Sequence, residues 1–171
     1  ALTKYANNVD WRGEARNAQR AITYLYDYTV KFLQLSVKSN RLDLQNTRKA
    51  VEPMVDSVIS NPDACLWATI MKPAANHDYD STLRASVFSV VLGRRLGLLK
   101  EDLCSLAIGG LLFDVGKLRI DDSILQADRK LTAQEMSVMQ GHVEVGLRLL
   151  RRSGLRNPDV IDFIKHHHER I

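Results

Sequence analysis

The sequence predicts an all-α protein. Apolar residues recur at intervals of three and four along most of the chain. Glycine and proline are sparse, at 9 and 4 of 171 residues, and no segment shows the period-two alternation of a half-buried strand. The first long helix spans about Glu14 to Lys38, with Ala21, Ile22, Leu25, Tyr28, Phe32 and Leu35 on one stripe. The turn at Ser39–Asn40 ends it. Asp43 can cap a second helix to about Ser60 that turns Val51, Met54, Val55 and Val58 inward and is bent by Pro53. Asn61-Pro62 starts a third, with Asn as cap and Pro in the first turn, ending near Lys72-Pro73. The next spans about Tyr79 to Leu96 and stops at Gly97. A helix over Lys100–Phe113 carries Gly109-Gly110, whose low helix propensity calls for close backbone packing. Residues 116–130 read as irregular, with one short turn at Asp122–Leu125. Thr132 and Glu135 form a capping box that opens a helix to about Arg152, and Asn157-Pro158 starts a last helix that runs to the chain end.

The length suits one domain, or one domain with a small appendage, and a composition 45% hydrophobic and 26% charged can build a core without disulfides. Intrinsic disorder, a collagen repeat and a disulfide scaffold are excluded. No run of 18 apolar residues would cross a membrane, and no signal-peptide pattern opens the chain. Cys65 and Cys104 lack CxxC spacing and sit among apolar residues, which points to reduced, buried thiols and a cytoplasmic setting. The chain starts at Ala1, as expected of a processed N-terminus or a piece trimmed from a larger parent. The net charge of +4 draws on Arg148, Arg151, Arg152 and Arg156 and permits a phosphate-bearing partner. Aromatics make up only 6% and do not interleave with basic residues, so a nucleic-acid polymer is not expected.

Two regions are expected: an N-terminal helical segment, 1–73, that packs, and a region, 74–171, that works. Four features of the second could do chemistry. The run Leu111-Leu112-Phe113-Asp114-Val115-Gly116-Lys117 is an apolar helix end bearing a carboxylate and then a lysine. His142 lies ten residues into the capped helix, one turn before Gly146. His166-His167-His168-Glu169 lies on the last helix, and His77 stands beside Asp78 and Asp80. A carboxylate and imidazoles arriving from separate helices can hold a divalent metal, and a lysine one turn from the carboxylate can hold a phosphate oxygen. Each feature also has a plain reading. Asp114 would face water, His142 would be a structural histidine, the triple histidine a solvated face or a tag remnant, and His77 a surface residue.

The order LGRRLGLLKEDLCSLAIGGLLFDVGKLRIDDSIL, then KLTAQE, then His142 with Gly146, then His-His-Glu-Arg resembles the HD-GYP family, a branch of the HD metal-dependent phosphohydrolases. The resemblance covers about Tyr79 to Ile171. It implies an HD-domain helical bundle preceded by a small N-terminal helical subdomain, and two or three metal ions, usually iron or manganese. It also implies metal-assisted hydrolysis of cyclic di-GMP or another cyclic dinucleotide. The family's His-Asp pair falls on Phe113-Asp114, its lysine on Lys117, its next metal histidine on His142, and its adjacent histidine pair on His167-His168. A further histidine is replaced by Ser81, and a glutamate ligand found in some members by His77, which becomes a candidate ligand. The Gly-Tyr-Pro segment would begin beyond Ile171. By this resemblance Asp114, His142, His167 and His168 are the metal ligands, and Asp114 and Lys117 the catalytic pair, with Lys117 on the substrate phosphate. Phe113 and Ser81 are degenerate positions, so fewer ions than usual are expected, or none. The first expectation is a non-catalytic or weakly active signalling or interaction module that binds a cyclic dinucleotide or a partner signalling protein. The alternatives are an active metal-dependent cyclic di-GMP phosphodiesterase and a purely structural helical module. An apolar stripe on the first helix would also suit a homodimer.

Overall fold

The computed structural model describes residues 2–39, 41–73 and 77–169, without the side chains of Lys38 and His77. Among the described residues the chain is helical with no β-strand. Helix α1 (Trp11–Lys38) is capped by Asp10, whose side chain accepts from the Gly13 amide. Helices α2 (Thr47–Ser60) and α3 (Pro62–Met71) pack on it, and α3 is capped by Asn61. Then come α4 (His77–Arg95) and α5 (Lys100–Leu112), a 3-10 turn (Val115–Arg119), and the short α6 (Asp122–Leu125). Helices α7 (Ala133–Gln140), α8 (His142–Arg152) and α9 (Pro158–His166) complete the order.

Three expectations need correction. Asp43 does not cap α2: its carboxylate accepts from the Gln45 amide, and the helix starts at Thr47 behind Asn46. The helix expected over 132–152 is two helices, broken at Gly141, so His142 opens a helix rather than sitting within one. Leu35 is not on the buried stripe but 70% exposed. From Phe32 a step of four reaches Ser36, which is buried because its hydroxyl donates back to the Phe32 carbonyl.

One core joins the N-terminal helices to the rest. Ile22 and Leu25 of α1, Val51, Met54, Val55 and Val58 of α2, Leu83 and Val87 of α4, Leu103 of α5, Leu150 of α8 and Ile164 of α9 are all at most 2% exposed. Burying each large aliphatic side chain contributes about 1.5–3 kcal/mol. The glycine pair has the expected reason. A Cβ on Gly110 would lie 2.5 Å from the Ser86 Cα, so its absence lets α4 and α5 touch along their backbones. Beside it a Cβ on Gly109 would lie 2.6 Å from the Phe163 ring of α9. Helix α9 is held there by buried Val160 and Ile164, and by Asn157, which caps it and donates to the Ser105 hydroxyl. Both cysteines are free and buried, and burial pushes the Cys65 thiol up to about 12.

A buried carboxylate ties α1 to α2. Glu14 is 6% exposed and accepts from the Ser57 and Ser60 hydroxyls. At the other end of α1, the Arg119 guanidinium donates to the carbonyls of Ser36, Val37 and Ser39. The last turn of α1 is thereby fastened to the 3-10 turn after α5. No helix among the described residues is long and apolar enough to cross a membrane.

Candidate metal centre

Leu111 and Leu112 are buried and anchor the end of α5. Phe113 caps the helix, and Asp114 leaves it at φ −99°, ψ 6° to enter the 3-10 turn. That turn lies directly on the backbone of α8. A Cβ on Gly116 would stand 1.9 Å from the His142 carbonyl oxygen and 2.7 Å from the Gly146 nitrogen, so only glycine permits the approach. Gly146 answers it from the other side, with its own ideal Cβ position 3.1 Å from the Gly116 nitrogen. This contact sets Asp114 beside His142, which is 2% exposed. His167 and His168 follow the end of α9 and enter from a third direction.

Three imidazole nitrogens converge, and the Asp114 carboxylate adjoins two of them. His142 Nε2 lies 3.3 Å from His167 Nε2 and 3.3 Å from His168 Nε2. Asp114 Oδ1 is 3.2 Å from His142 Nε2 and 3.8 Å from His167 Nε2. The protonation of two rings is fixed from behind. His142 Nδ1 is 2.6 Å from the Met139 carbonyl and His167 Nδ1 is 2.7 Å from the Ile164 carbonyl. A carbonyl only accepts, so each Nδ1 carries the proton, and each neutral ring presents a bare Nε2 lone pair. Two such lone pairs 3.3 Å apart do not bond to one another; they call for a cation or a proton between them. Asp114 Oδ1 is likewise buried without a hydrogen-bond partner, which is costly unless a charge meets it.

The electrostatics point the same way. Burial pushes the Asp114 carboxyl up, but His142 and Lys117 together outweigh it and hold it below the usual carboxylate range. Asp114 raises the His142 pKa against the effect of burial, and burial lowers that of His167. The first shift favours a proton on His142, and the second favours the neutral, ligating form of His167. Lys117 Nζ lies 2.7 Å from Asp114 Oδ2. An ammonium has three donors, so two remain for a phosphate oxygen.

The three imidazole nitrogens fit a divalent cation, with the Asp114 carboxylate beside two of them to offset its charge. The structure brings together Asp114, His142, His167 and His168, with Lys117 alongside. It separates His166, which turns out to solvent and pairs with Glu169 at 2.5 Å. The Phe113 ring stands edge-on to the His167 ring at 5.0 Å, at the rim of the cluster. Ser81 is exposed on α4. The His77 side chain, Arg170 and Ile171 lie outside the described residues. The Met139 and Ile164 carbonyls were not singled out from the sequence. Their signal is a spacing, each lying three residues before the histidine it orients. A groove of about 530 Å³ between α1 and α2, lined in part by Glu14, Arg20, Tyr24 and Pro53, lies apart from this cluster.

The HD domain family model matches residues 79–171, over half the chain, and the chain belongs to that family. Its curated relatives are cyclic-dinucleotide phosphodiesterases, in keeping with the HD-GYP branch. The chain is 29% identical over 130 residues, 76% of its length and 31% of the relative's, to the cyclic di-GMP phosphodiesterase PA4108 of Pseudomonas aeruginosa. It is 38% identical over 88 residues, 51% of its length, to the 3'3'-cGAMP-specific phosphodiesterase 2 of Vibrio cholerae, of which it covers 17%. The same identity, length and share of this chain hold for the cyclic di-GMP phosphodiesterase response regulator RpfG of Xanthomonas campestris, of which it covers 23%. The chain thus spans less than a third of the length of these relatives. No solved structure matches it significantly.

Proposed function

We propose that this chain is a non-catalytic HD-GYP-type module of cyclic-dinucleotide signalling, which binds the nucleotide beside a reduced metal centre and does not turn it over at an enzymatic rate. Asp114, His142, His167 and His168 are the ligands in this reading, and Lys117 meets a phosphate oxygen. The observation that carries it is Phe113. Its ring occupies the rim of the donor cluster, 5.0 Å from His167, at the position where the resemblance calls for an imidazole. A hydrocarbon ring cannot ligate, and the exposed Ser81 hydroxyl is a poor neutral substitute. Hydrolysis of a phosphodiester by clustered ions needs both an activated nucleophile and charge neutralisation on the phosphoryl oxygens. Loss of an ion removes both.

The test uses tag-free protein supplied with manganese or ferrous iron. Calorimetric titration with cyclic di-GMP and with a 3',3'-linked cyclic GMP-AMP measures binding, and chromatography measures product. Saturable binding to one of them without turnover is expected, weakened by Lys117→Met. Metal-dependent turnover that disappears in His142→Ala would overturn the reading in favour of an active phosphodiesterase. Absence of binding to either nucleotide would overturn it in favour of a structural module.

A further inference from the structure

We infer that the outer face of α8, extended by Arg41 and Arg156, is a docking surface for a short acidic segment of a partner protein, one that presents several carboxylates within a single helical turn. The surface is separate from the histidine cluster and does not depend on what that cluster binds. His142 and Arg152 stand at opposite ends of α8, about 15 Å apart along its axis. Three observations carry the inference.

The first is uncompensated charge. Residues 145–157 hold four arginines and no acidic residue. Leu147, Leu149 and Leu150 are buried in the core, and Arg148, Arg151 and Arg152 are exposed on the other face of the helix. Arg148 stands three and four residues before the other two, the spacing at which like charges on a helix repel. Two further segments bring an arginine to the same end of α8. The Ser153 hydroxyl donates to the Leu149 carbonyl and accepts from the Leu42 amide at 2.8 Å, which sets the exposed Arg41 beside the helix end. Arg156 donates through Nη1 alone, to the Arg151 and Leu155 carbonyls. Among the described residues none of these five arginines forms an ion pair, whereas Arg48 and Arg129 hold Glu101 and Glu135 at 2.6 and 2.7 Å. The helix macrodipole favours Arg151 and Arg152 in the last turn but gives no reason for Arg148 or Arg41.

The second is residue type. All five are arginine, whose planar fork takes a carboxylate through two parallel hydrogen bonds. The third is the border of the patch. Exposed Glu144 lies one turn before Arg148, and exposed Asp159 and Asp162 follow Arg156. A long polyanion running past the patch therefore meets carboxylates on both sides. The exposed residues of α8 are Glu144, Arg148, Arg151 and Arg152, so the face offers no aromatic ring for a base to stack on and no apolar side chain to enter a bilayer. A short, local cluster of carboxylates meets none of these obstacles.

The test uses a fluorescein-labelled, alanine-based helical peptide bearing glutamates three and four residues apart, titrated with the full chain and read by fluorescence anisotropy. Saturable binding is expected, weakened by salt and lost when glutamine replaces the glutamates. Combined Arg148→Gln, Arg151→Gln and Arg152→Gln should weaken it roughly 10–100-fold. These side chains are exposed and glutamine is a good helix former, so the thermal midpoint should match the wild type. Combined Arg12→Gln, Arg16→Gln and Arg20→Gln removes the same charge from exposed positions on α1 and should leave binding at the wild-type value. No saturable binding, equal binding of the glutamine peptide, or equal losses in the two triple variants would each overturn the inference, the last by reducing the effect to net charge. A DNA duplex or phosphatidylserine vesicles bound more tightly than the peptide, and released by the α8 variant, would overturn it in favour of a polyanion or a membrane surface.

Discussion

Gly116→Ala is the sharpest probe of how the backbone builds the site. The new Cβ would lie 1.9 Å from the His142 carbonyl oxygen and 2.7 Å from the Gly146 nitrogen, where real Cβ contacts are essentially never under 3.0 Å. The obstructing atoms are backbone, so no rotamer change relieves the clash. The turn and the first residues of α8 must separate by at least ~1 Å, an overpacking that costs about 1–3 kcal/mol. For a chain of this size that lowers the midpoint by roughly 3–10 °C. The same displacement carries His142 Nε2 away from Asp114 Oδ1, now 3.2 Å distant. Loss of ligand positioning typically lowers metal affinity about 10–100-fold. Differential scanning calorimetry of metal-free protein reads the first effect and competition for a divalent metal against a chromophoric chelator the second. An alanine variant with wild-type midpoint and wild-type affinity would refute the claim that this contact sets the geometry. A lower midpoint with unchanged affinity would refute only its link to the ligands.

Leu150 is fully buried in the last turn of α8, and Leu150→Ala should cost about 2–5 kcal/mol in chemical denaturation; a loss under 1 kcal/mol would mean that the site collapses around the gap. Cys65, with its thiol at about 12 and no exposure, should resist alkylation at neutral pH until the protein unfolds, and rapid native labelling would contradict that burial. Arg119→Ala should free the last turn of α1, speeding amide exchange at residues 36–39 and costing about 1–2 kcal/mol; unchanged exchange would show that the guanidinium is dispensable there. Phe113→His combined with Ser81→His should raise the number of bound ions per chain in elemental mass spectrometry, and an unchanged number would show that the helices no longer supply the geometry for a second site.

Helix ends were readable wherever one side chain decides them. Asn61-Pro62, Asn157-Pro158 and the Thr132/Glu135 box all cap as expected, because each satisfies amides within three residues of itself. The break at Gly141 was not readable. Its φ of −68° and ψ of −10° are close to helical values, so hydrophobic periodicity passes through it without a signal. Burial of Glu14 was equally hidden, since the hydroxyls that satisfy it lie 43 and 46 residues away. At the candidate centre the residue types were legible from order and spacing. Their chemistry was not: the two fixed tautomers, the orphaned Oδ1 and the Lys117 grip on Oδ2 depend on distances between separate elements. The triple histidine is the clearest instance. Sequence offers three equivalent rings, and the end of α9 sends two towards His142 and one to Glu169.

The fastening of α1 by Arg119 has a mechanical consequence. A helix of 28 residues is about 42 Å long, and this one is gripped near both ends, by Glu14 on α2 and by Arg119 at its last turn. Arg119 is only two residues from Lys117 and five from Asp114. Sliding α1 along its axis by a single residue, about 1.5 Å, would break all three carbonyl bonds or drag the turn along with it. The helix is thus a connecting rod: a push, twist or tilt applied at its Trp11 end arrives, a molecule's length away, at the residues that face the donor cluster.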